Sequence, residues 1–330
     1  MMGQAMPVVI AGTGGALPER VIHTRDLISN AFPDADDQQR RVIEERTGIE
    51  TRRWIDQGGS AASLGTTALR RALERARLDA SELRRIIFVS STGGDHLVPA
   101  TAHDIAAAFD LSDTCDAFDM ANSCVGFLSA FDVAARSVAT GLGPVGVVAV
   151  ETFSRRLSPE GARAYLVLGD AAAAAVLRPG ETGGVLASCL ATSERLRGKM
   201  RMGLPGTPGE RPFHDFDARS HELADSAVAC MGAAIDRVLA QSDLSIGEID
   251  WMVLHQPNGS LYGQVVESLG IDPSRTMNVV RDTGSVGAAS VPTVLDRLFR
   301  ERPVRVGHRI LMASVGAGTA YGAILYEAGT

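Results

Sequence analysis

The chain lacks any apolar run as long as a membrane span, carries only four cysteines in 330 residues, and has no excess of basic charge. The first lack argues for a soluble protein, because roughly 20 consecutive apolar residues are needed to cross a bilayer as a helix. Cys115, Cys124, Cys189 and Cys230 form no CxxC pair and no metal-ligand spacing, which speaks against a zinc site and fits reduced thiols in the cytoplasm. A formal charge of −7 argues against nucleic acid as a main partner. A dinucleotide loop is missing too. Gly12-x-Gly14-Gly15 has no third glycine of a GxGxxG, and Pro18 breaks the helix that would receive a pyrophosphate. His96 and His103 suit no common short metal-ligand pair. Pro7 through Gly12 reads as a first strand entering a glycine turn, not as a secretory leader.

What is present is a core-forming composition, 45% hydrophobic, in which helical stretches alternate with short apolar runs. That alternation argues for α/β layers. The chain also repeats itself. Asp79-x-Ser81 leads into Ile86-Ile87-Phe88-Val89, and Asp243-x-Ser245 leads at the same distance into Asp250-Trp251-Met252-Val253. Helical stretches at 68–76 and 227–239 precede the two runs. Ser123-Cys124-Val125-Gly126 recurs as Gly284-Ser285-Val286-Gly287, and each half closes on a glycine-led apolar strand, at 169–177 and 318–325. Two copies of one α/β unit are expected, residues 1–178 and 179–330, meeting across a pseudo-two-fold axis. The long stretch 195–220, rich in glycine and proline, is expected as an irregular loop over a site or as a mobile segment. Its Arg195, Arg197, Lys199 and Arg201 are candidates for phosphate, against the plainer reading of a solvated surface.

Residues 119–129 put Cys124 where an extended apolar segment gives way to a helix. The unpaired N–H groups of a first helical turn carry roughly half a positive charge and favour a thiolate. A depression of about 2 units from a free-thiol pKa near 8.5 would ionise most of the sulfur at pH 7, for about 2.7 kcal/mol. Cys124 is therefore a candidate nucleophile, with Ala121, Ser123 and Gly126 leaving room for a substrate. The plain alternative is a buried cysteine acting as a small hydrophobe. His255 follows an apolar run at the carboxyl end of an expected strand, where parallel sheets place their chemistry, and its counterpart in the first half is Ser91. Ser285, the counterpart of Cys124, is expected to begin the opposing helix.

These residues carry a family resemblance. Glu45 through Ile49, Asp119 through Phe127, Leu168-Gly169-Asp170 with its alanine run, His255-Gln256-Pro257-Asn258, Gly284 through Pro292 and Gly316 through Thr319 lie in order from end to end. Together they resemble a thiolase-fold condensing enzyme of the β-ketoacyl-ACP synthase III type. The resemblance implies a five-layered αβαβα fold of two duplicated βαβαβαββ halves, a homodimer, and an acyltransferase that needs no metal or other cofactor. It implies that Cys124 takes an acyl group from a thioester, commonly acyl-CoA. A malonyl thioester then loses CO₂ and its carbanion attacks the acyl-cysteine. His255 and the residue at 285 would stabilise the enolate oxygen, and the backbone N–H groups of Cys124 and Ala317 would form the oxyanion hole.

The resemblance also carries departures. The family's usual asparagine at the opposing turn is Ser285 here, and the tryptophan that stacks on the CoA adenine is Val42. The asparagine that meets pantetheine is aligned with His221, and the arginine that receives acyl carrier protein with Ser260. Arg46 and Arg155 stand where a phosphate of the thioester carrier would be met, and Leu97 and Val98 replace a bulky aromatic that closes the acyl pocket from the partner subunit. A specialised relative follows, with an acyl group longer than acetyl and either CoA or acyl carrier protein as carrier. The alternative is transfer from Cys124 to an alcohol or amine, with His255 as base and no decarboxylation. A non-catalytic subunit of a heteromeric complex is disfavoured by the presence of both Cys124 and His255.

Overall fold

The computed structural model describes residues 5–203 and 214–330. The first half runs β1 (Val8–Ala16), β2 (Val21–His23), α1 (Thr24–Ala31), α2 (Asp37–Thr47), β3 (Thr51–Arg53), α3 (Ala61–Ala76), β4 (Arg85–Val89), α4 (Thr101–Ala107), β5 (Asp116–Met120), α5 (Gly126–Ala139), β6 (Val145–Thr152), α6 (Ala162–Val167) and β7 (Asp170–Pro179). The second runs β8 (Gly184–Thr192), β9 (Met200–Met202), β10 (His214–Phe216), α7 (Ser220–Ser242), β11 (Trp251–Leu254), α8 (Gly259–Ser268), α9 (Val280–Thr283), α10 (Ser290–Glu301), β12 (Arg309–Gly316) and β13 (Ala320–Glu327).

The duplication is visible in the sheets. One has the order β1-β7-β6-β4-β5 and the other β8-β13-β12-β11, with matching directions: β4 runs parallel to β6 as β11 does to β12, and the remaining neighbours in this shared part are antiparallel. The second sheet has no counterpart of β5 among the described residues, because 276–279 pass without regular pairing. Helix α3 covers the outer face of the first sheet and α7 that of the second, while α5 and α10 lie between the sheets. This gives five layers. The central core joins both halves, with Phe127, Phe131, Val291, Leu295, Met312 and Ile324 in one apolar cluster.

Local signals explain the repeat. Asp79 accepts the Ser81 N–H at 2.9 Å and Ser245 donates its N–H to Glu248 at 2.9 Å, so each capped single turn delivers the chain into β4 or β11. The glycines of β1 correct one expectation. They are not a turn, since the strand runs on through Ala16; a Cβ at Gly12 or Gly14 would lie 2.2 Å from the Ala72 or Ala68 carbonyl oxygen of α3. They permit close helix-on-strand packing. The described parts of 195–220 hold more regular structure than expected, since β9 pairs with β10, and Thr319 exchanges two backbone bonds with Ser193 just ahead of them. Pro205, Gly206, Pro208, Gly209 and Pro212 lie outside the described residues. No helix among the described residues is long and apolar enough to cross a membrane.

Candidate active site

The carboxyl end of edge strand β5 leads to Cys124. Asp119 accepts the N–H groups of Thr101 and Ala102 at 2.8 and 2.9 Å, fixing the strand end to the start of α4. The chain then turns sharply. Ser123 has φ 48°, in the left-handed region, where a non-glycine residue costs about 1–3 kcal/mol. A single turn over Ser123–Val125 follows, and α5 begins at Gly126, which lacks a Cβ because the Val89 side chain would stand 2.6 Å from it. The second half grips this turn. Ser314 donates its hydroxyl to the Cys124 carbonyl at 2.8 Å, Ala317 N–H donates to Ser123 Oγ at 3.0 Å, and a Cβ on Gly316 would stand 2.8 Å from the Cys124 nitrogen.

The ionisation expected for Cys124 is overturned. Its residue keeps partial solvent access, yet burial pushes the thiol up to about 12, and the Glu151 charge pushes in the same direction. The Ser123 hydroxyl, 3.9 Å from the sulfur, favours the thiolate only weakly. Desolvation outweighs the helix terminus because α5 starts two residues later, so the resting sulfur is a neutral thiol.

His255 sits directly beyond β11 and is 3% exposed. Burial lowers its pKa to about 4, so the imidazole is neutral at pH 7, and its Nδ1 has no hydrogen-bond partner among the described residues. The His255 backbone N–H donates to the Ala313 carbonyl at 2.9 Å. Ala313 and Ser314, consecutive on β12, therefore hold the imidazole segment and the thiol segment respectively. The rest of the 255–258 motif divides its work. Gln256 accepts the Val279 and Val280 N–H groups at 2.9 Å each, anchoring the start of α9, and Asn258 caps α8 through the Leu261 N–H at 2.8 Å.

Helix α9 delivers Ser285, which is 4% exposed and fastened through its backbone to Val167 and Gly169 of the first half at 2.7 and 2.9 Å. Ser285 does not begin the opposing helix. A single turn at 287–289 intervenes and α10 starts at Ser290; that turn packs against the Cys124 turn, with Ala288 Cβ 3.5 Å from where a Gly126 Cβ would be.

Glu151, at the end of β6, has no place in the sequence reading. It is fully buried and accepts the N–H groups of Ser91 and Thr92 at 2.9 and 3.0 Å from the end of β4, and that of Ala288 at 3.0 Å from the second half. Desolvation raises its pKa while these donors oppose the shift. The available signal was a lone acidic residue closing the apolar run Val145 through Val150.

The candidate binding residues scatter. Arg46 is exposed and, with Val42, Ile43 and Phe32, lines a cavity of about 650 Å³ beside α2. The carboxyl end of α2 meets the start of α8, where a Cβ on Gly48 would stand 2.7 Å from Gly259, so Arg46 and exposed Ser260 lie on adjoining elements. Arg155 departs from expectation: it pairs with Asp95 at 2.9 Å and with the Gly59 carbonyl, so a structural carboxylate already meets its charge. Leu97 and Val98 are 93% and 83% exposed. His221 is exposed on the first turn of α7. Lys199 pairs with Asp217 at 3.0 Å. No group of three metal-binding side chains occurs among the described residues.

Comparison with known proteins agrees with this architecture. Residues 118–193 match the family described as 3-oxoacyl-[acyl-carrier-protein (ACP)] synthase III, and residues 239–328 match its C-terminal counterpart. The chain is 31% identical to β-ketoacyl-[acyl-carrier-protein] synthase III 3 of Streptomyces coelicolor, over 96% of this chain and 95% of that one. It is 32% identical to the synthase III of Rhizorhabdus wittichii, over 96% and 97%. Among solved structures, the synthase III of Aquifex aeolicus superposes with a TM-score of 0.87 at 27% identity, covering 97% and 99%. Xanthomonas campestris OleA, solved with bound lauric acid and lauroyl-CoA, superposes with a TM-score of 0.85 at 25% identity, covering 98% and 99%.

Proposed function

The chain belongs to the 3-oxoacyl-[acyl-carrier-protein] synthase III family of condensing enzymes, and on that footing we propose that it joins an acyl group carried on Cys124 to a malonyl-type thioester. In this reading residues 1–178 supply the nucleophile and residues 179–330 supply His255 and Ser285. The observation that carries it is the anchoring of the Cys124 and His255 segments on consecutive residues of β12, with the turn after Ser285 packed on the Cys124 turn.

The resting pair is a neutral thiol and a neutral imidazole. In the first step the sulfur attacks the acyl thioester, the S–acyl bond forms, the carbon–sulfur bond to CoA breaks, and the thiol proton ends on the departing CoA sulfur. The tetrahedral oxyanion takes the N–H groups of Cys124 and Ala317; losing one such donor in a hydrolase costs about 10²–10³ in rate. In the second step the malonyl thioester loses CO₂, and its enolate oxygen is held by His255, donating as the neutral imidazole, together with the Ser285 hydroxyl. The carbanion attacks the acyl carbon, the carbon–sulfur bond to Cys124 breaks, and the expelled thiolate takes a proton from water.

Arg46 beside the α2 cavity meets a phosphate of the carrier, whether CoA or the phosphopantetheine of an acyl carrier protein, with Ser260 on the adjoining start of α8, while His221 on α7 is the candidate for the pantetheine arm. Leu97 and Val98 face a second copy of the chain in a homodimer. The lauroyl-CoA recorded on OleA supports acyl-CoA as the donor and a chain longer than acetyl. The reading places the enzyme in the cytoplasm. Release of CO₂ from malonyl-CoA, dependent on prior loading with acyl-CoA, tests the reaction. Acyl transfer to an added alcohol or amine without CO₂ release would replace condensation by simple acyl transfer.

A further inference from the structure

Ser123 is the side chain next to the nucleophile that neither step above uses. Its hydroxyl oxygen accepts the Ala317 N–H at 3.0 Å, the same donor that the proposed first step gives to the thioester oxygen, and it lies 3.9 Å from the Cys124 sulfur. The placement is built into the backbone. Ser123 holds φ 48°, a region L-residues rarely adopt, and the absence of a side chain at Gly316 makes room, since a Cβ there would meet Ser123 Oγ at 2.9 Å and its Cβ at 3.1 Å. Ser314, on the strand that leads to Gly316, also holds the turn, through the Cys124 carbonyl.

A backbone N–H has one proton to give, so it cannot serve a serine hydroxyl and an oxyanion at full strength together. We propose that the Ser123 hydroxyl occupies the oxyanion hole of the resting protein, so that a thioester carbonyl gains the Ala317 N–H only by displacing it. The inference rests on the acyl-cysteine reading and adds to it a residue that sets how readily the first step begins. A neutral hydrogen bond of ordinary net strength corresponds to about 2- to 10-fold in rate. The hole is therefore slower to take an acyl group than a bare one, while a reaction at the same sulfur that builds no oxyanion does not feel the serine in this way.

The test compares two reactions of Cys124 in the full-length protein and in Ser123→Ala and Ser123→Gly. Loading from acetyl-, butyryl- and octanoyl-CoA is followed by single-turnover intact-mass spectrometry, and alkylation by iodoacetamide at pH 9 reports the sulfur without an oxyanion. The expected result is loading about 2- to 10-fold faster in both variants, with alkylation within about twofold of the parent. Glycine tolerates the left-handed backbone, so Ser123→Gly keeps the test alive if the alanine variant folds poorly. Loading that is unchanged or slower in the folded variants would overturn the proposal, as would equal acceleration of loading and alkylation, which would mean a merely uncovered sulfur. A parent protein that alkylates but accepts none of the three acyl groups would sink the acyl-cysteine reading itself.

Discussion

The two turns that meet at the centre of the molecule are built alike and equipped differently. In the first half a regular edge strand, β5, runs into a turn that holds a strained serine and a thiol before α5. In the second, irregular chain outside the sheet and the short α9 lead to Ser285, whose backbone is fastened to the first half before α10 begins. The strand ends differ as well. Beyond β4, Ser91 and Thr92 turn their N–H groups onto Glu151, whereas beyond β11 stands an imidazole whose Nδ1 has no partner among the described residues. Duplication thus supplies two facing frames, and divergence puts the proposed nucleophile on one and the proposed hydrogen-bond donors on the other.

Breaking the first-half side alone should have the largest effect. Cys124→Ala is expected to abolish acyl loading, a fall of at least about 10³-fold, with little change in melting temperature, because one small side-chain atom is lost. Intact-mass spectrometry and thermal melts check both parts.

Breaking the second-half side should divide the reaction. His255→Ala is expected to lower condensation by about 10²–10³-fold while loading stays within about tenfold, read from CO₂ release and single-turnover loading. Equal losses in both would make His255 the base for the thiol. Because its folded pKa of about 4 lies below the ordinary 6.5, the unfolded chain takes the proton first as pH falls. Stability present above pH 6.5 is therefore lost between 6.5 and 4, by up to about 3 kcal/mol. Urea melts across that range should show it, and His255→Asn should flatten that part of the loss.

Cutting the link between the frames comes next. Glu151→Ala strands the buried N–H groups of Ser91, Thr92 and Ala288 and should destabilise the protein by about 3–5 kcal/mol in denaturant melts. The smallest effect sharpens the comparison instead of breaking it. Ser285→Asn should raise condensation by about fivefold if a longer donor serves the enolate better. Lost activity would mean a serine-specific role and favour acyl transfer without decarboxylation.

Much of this was legible in the chain because it was encoded locally. The capped turns at Asp79 and Ser245, the apolar runs they introduce and the glycine-led closing strands are short-range signals, and they located both halves. Cys124 stood out where an extended segment gives way to a helix, and His255 at the end of an apolar run. What escaped depends on distant partners. Glu151 acts through residues 60 and 137 positions away, and nothing near Arg155 in sequence announces Asp95. The thiol was read from its helix start, but its state is governed by burial that both halves create. The missing fifth strand of the second sheet lies in a stretch, Thr276-Met277-Asn278-Val279, with too little pattern to tell strand from irregular chain.

The central claim is that a sulfur from one frame carries the acyl group while donors from the other complete the reaction. Incubation with octanoyl-CoA followed by peptide-level mass spectrometry tests it most directly. The account expects one acyl group per chain, on the peptide holding Cys124, discharged when malonyl-CoA is added. An acyl group on any other residue, or one on Cys124 that malonyl-CoA leaves in place, would contradict it.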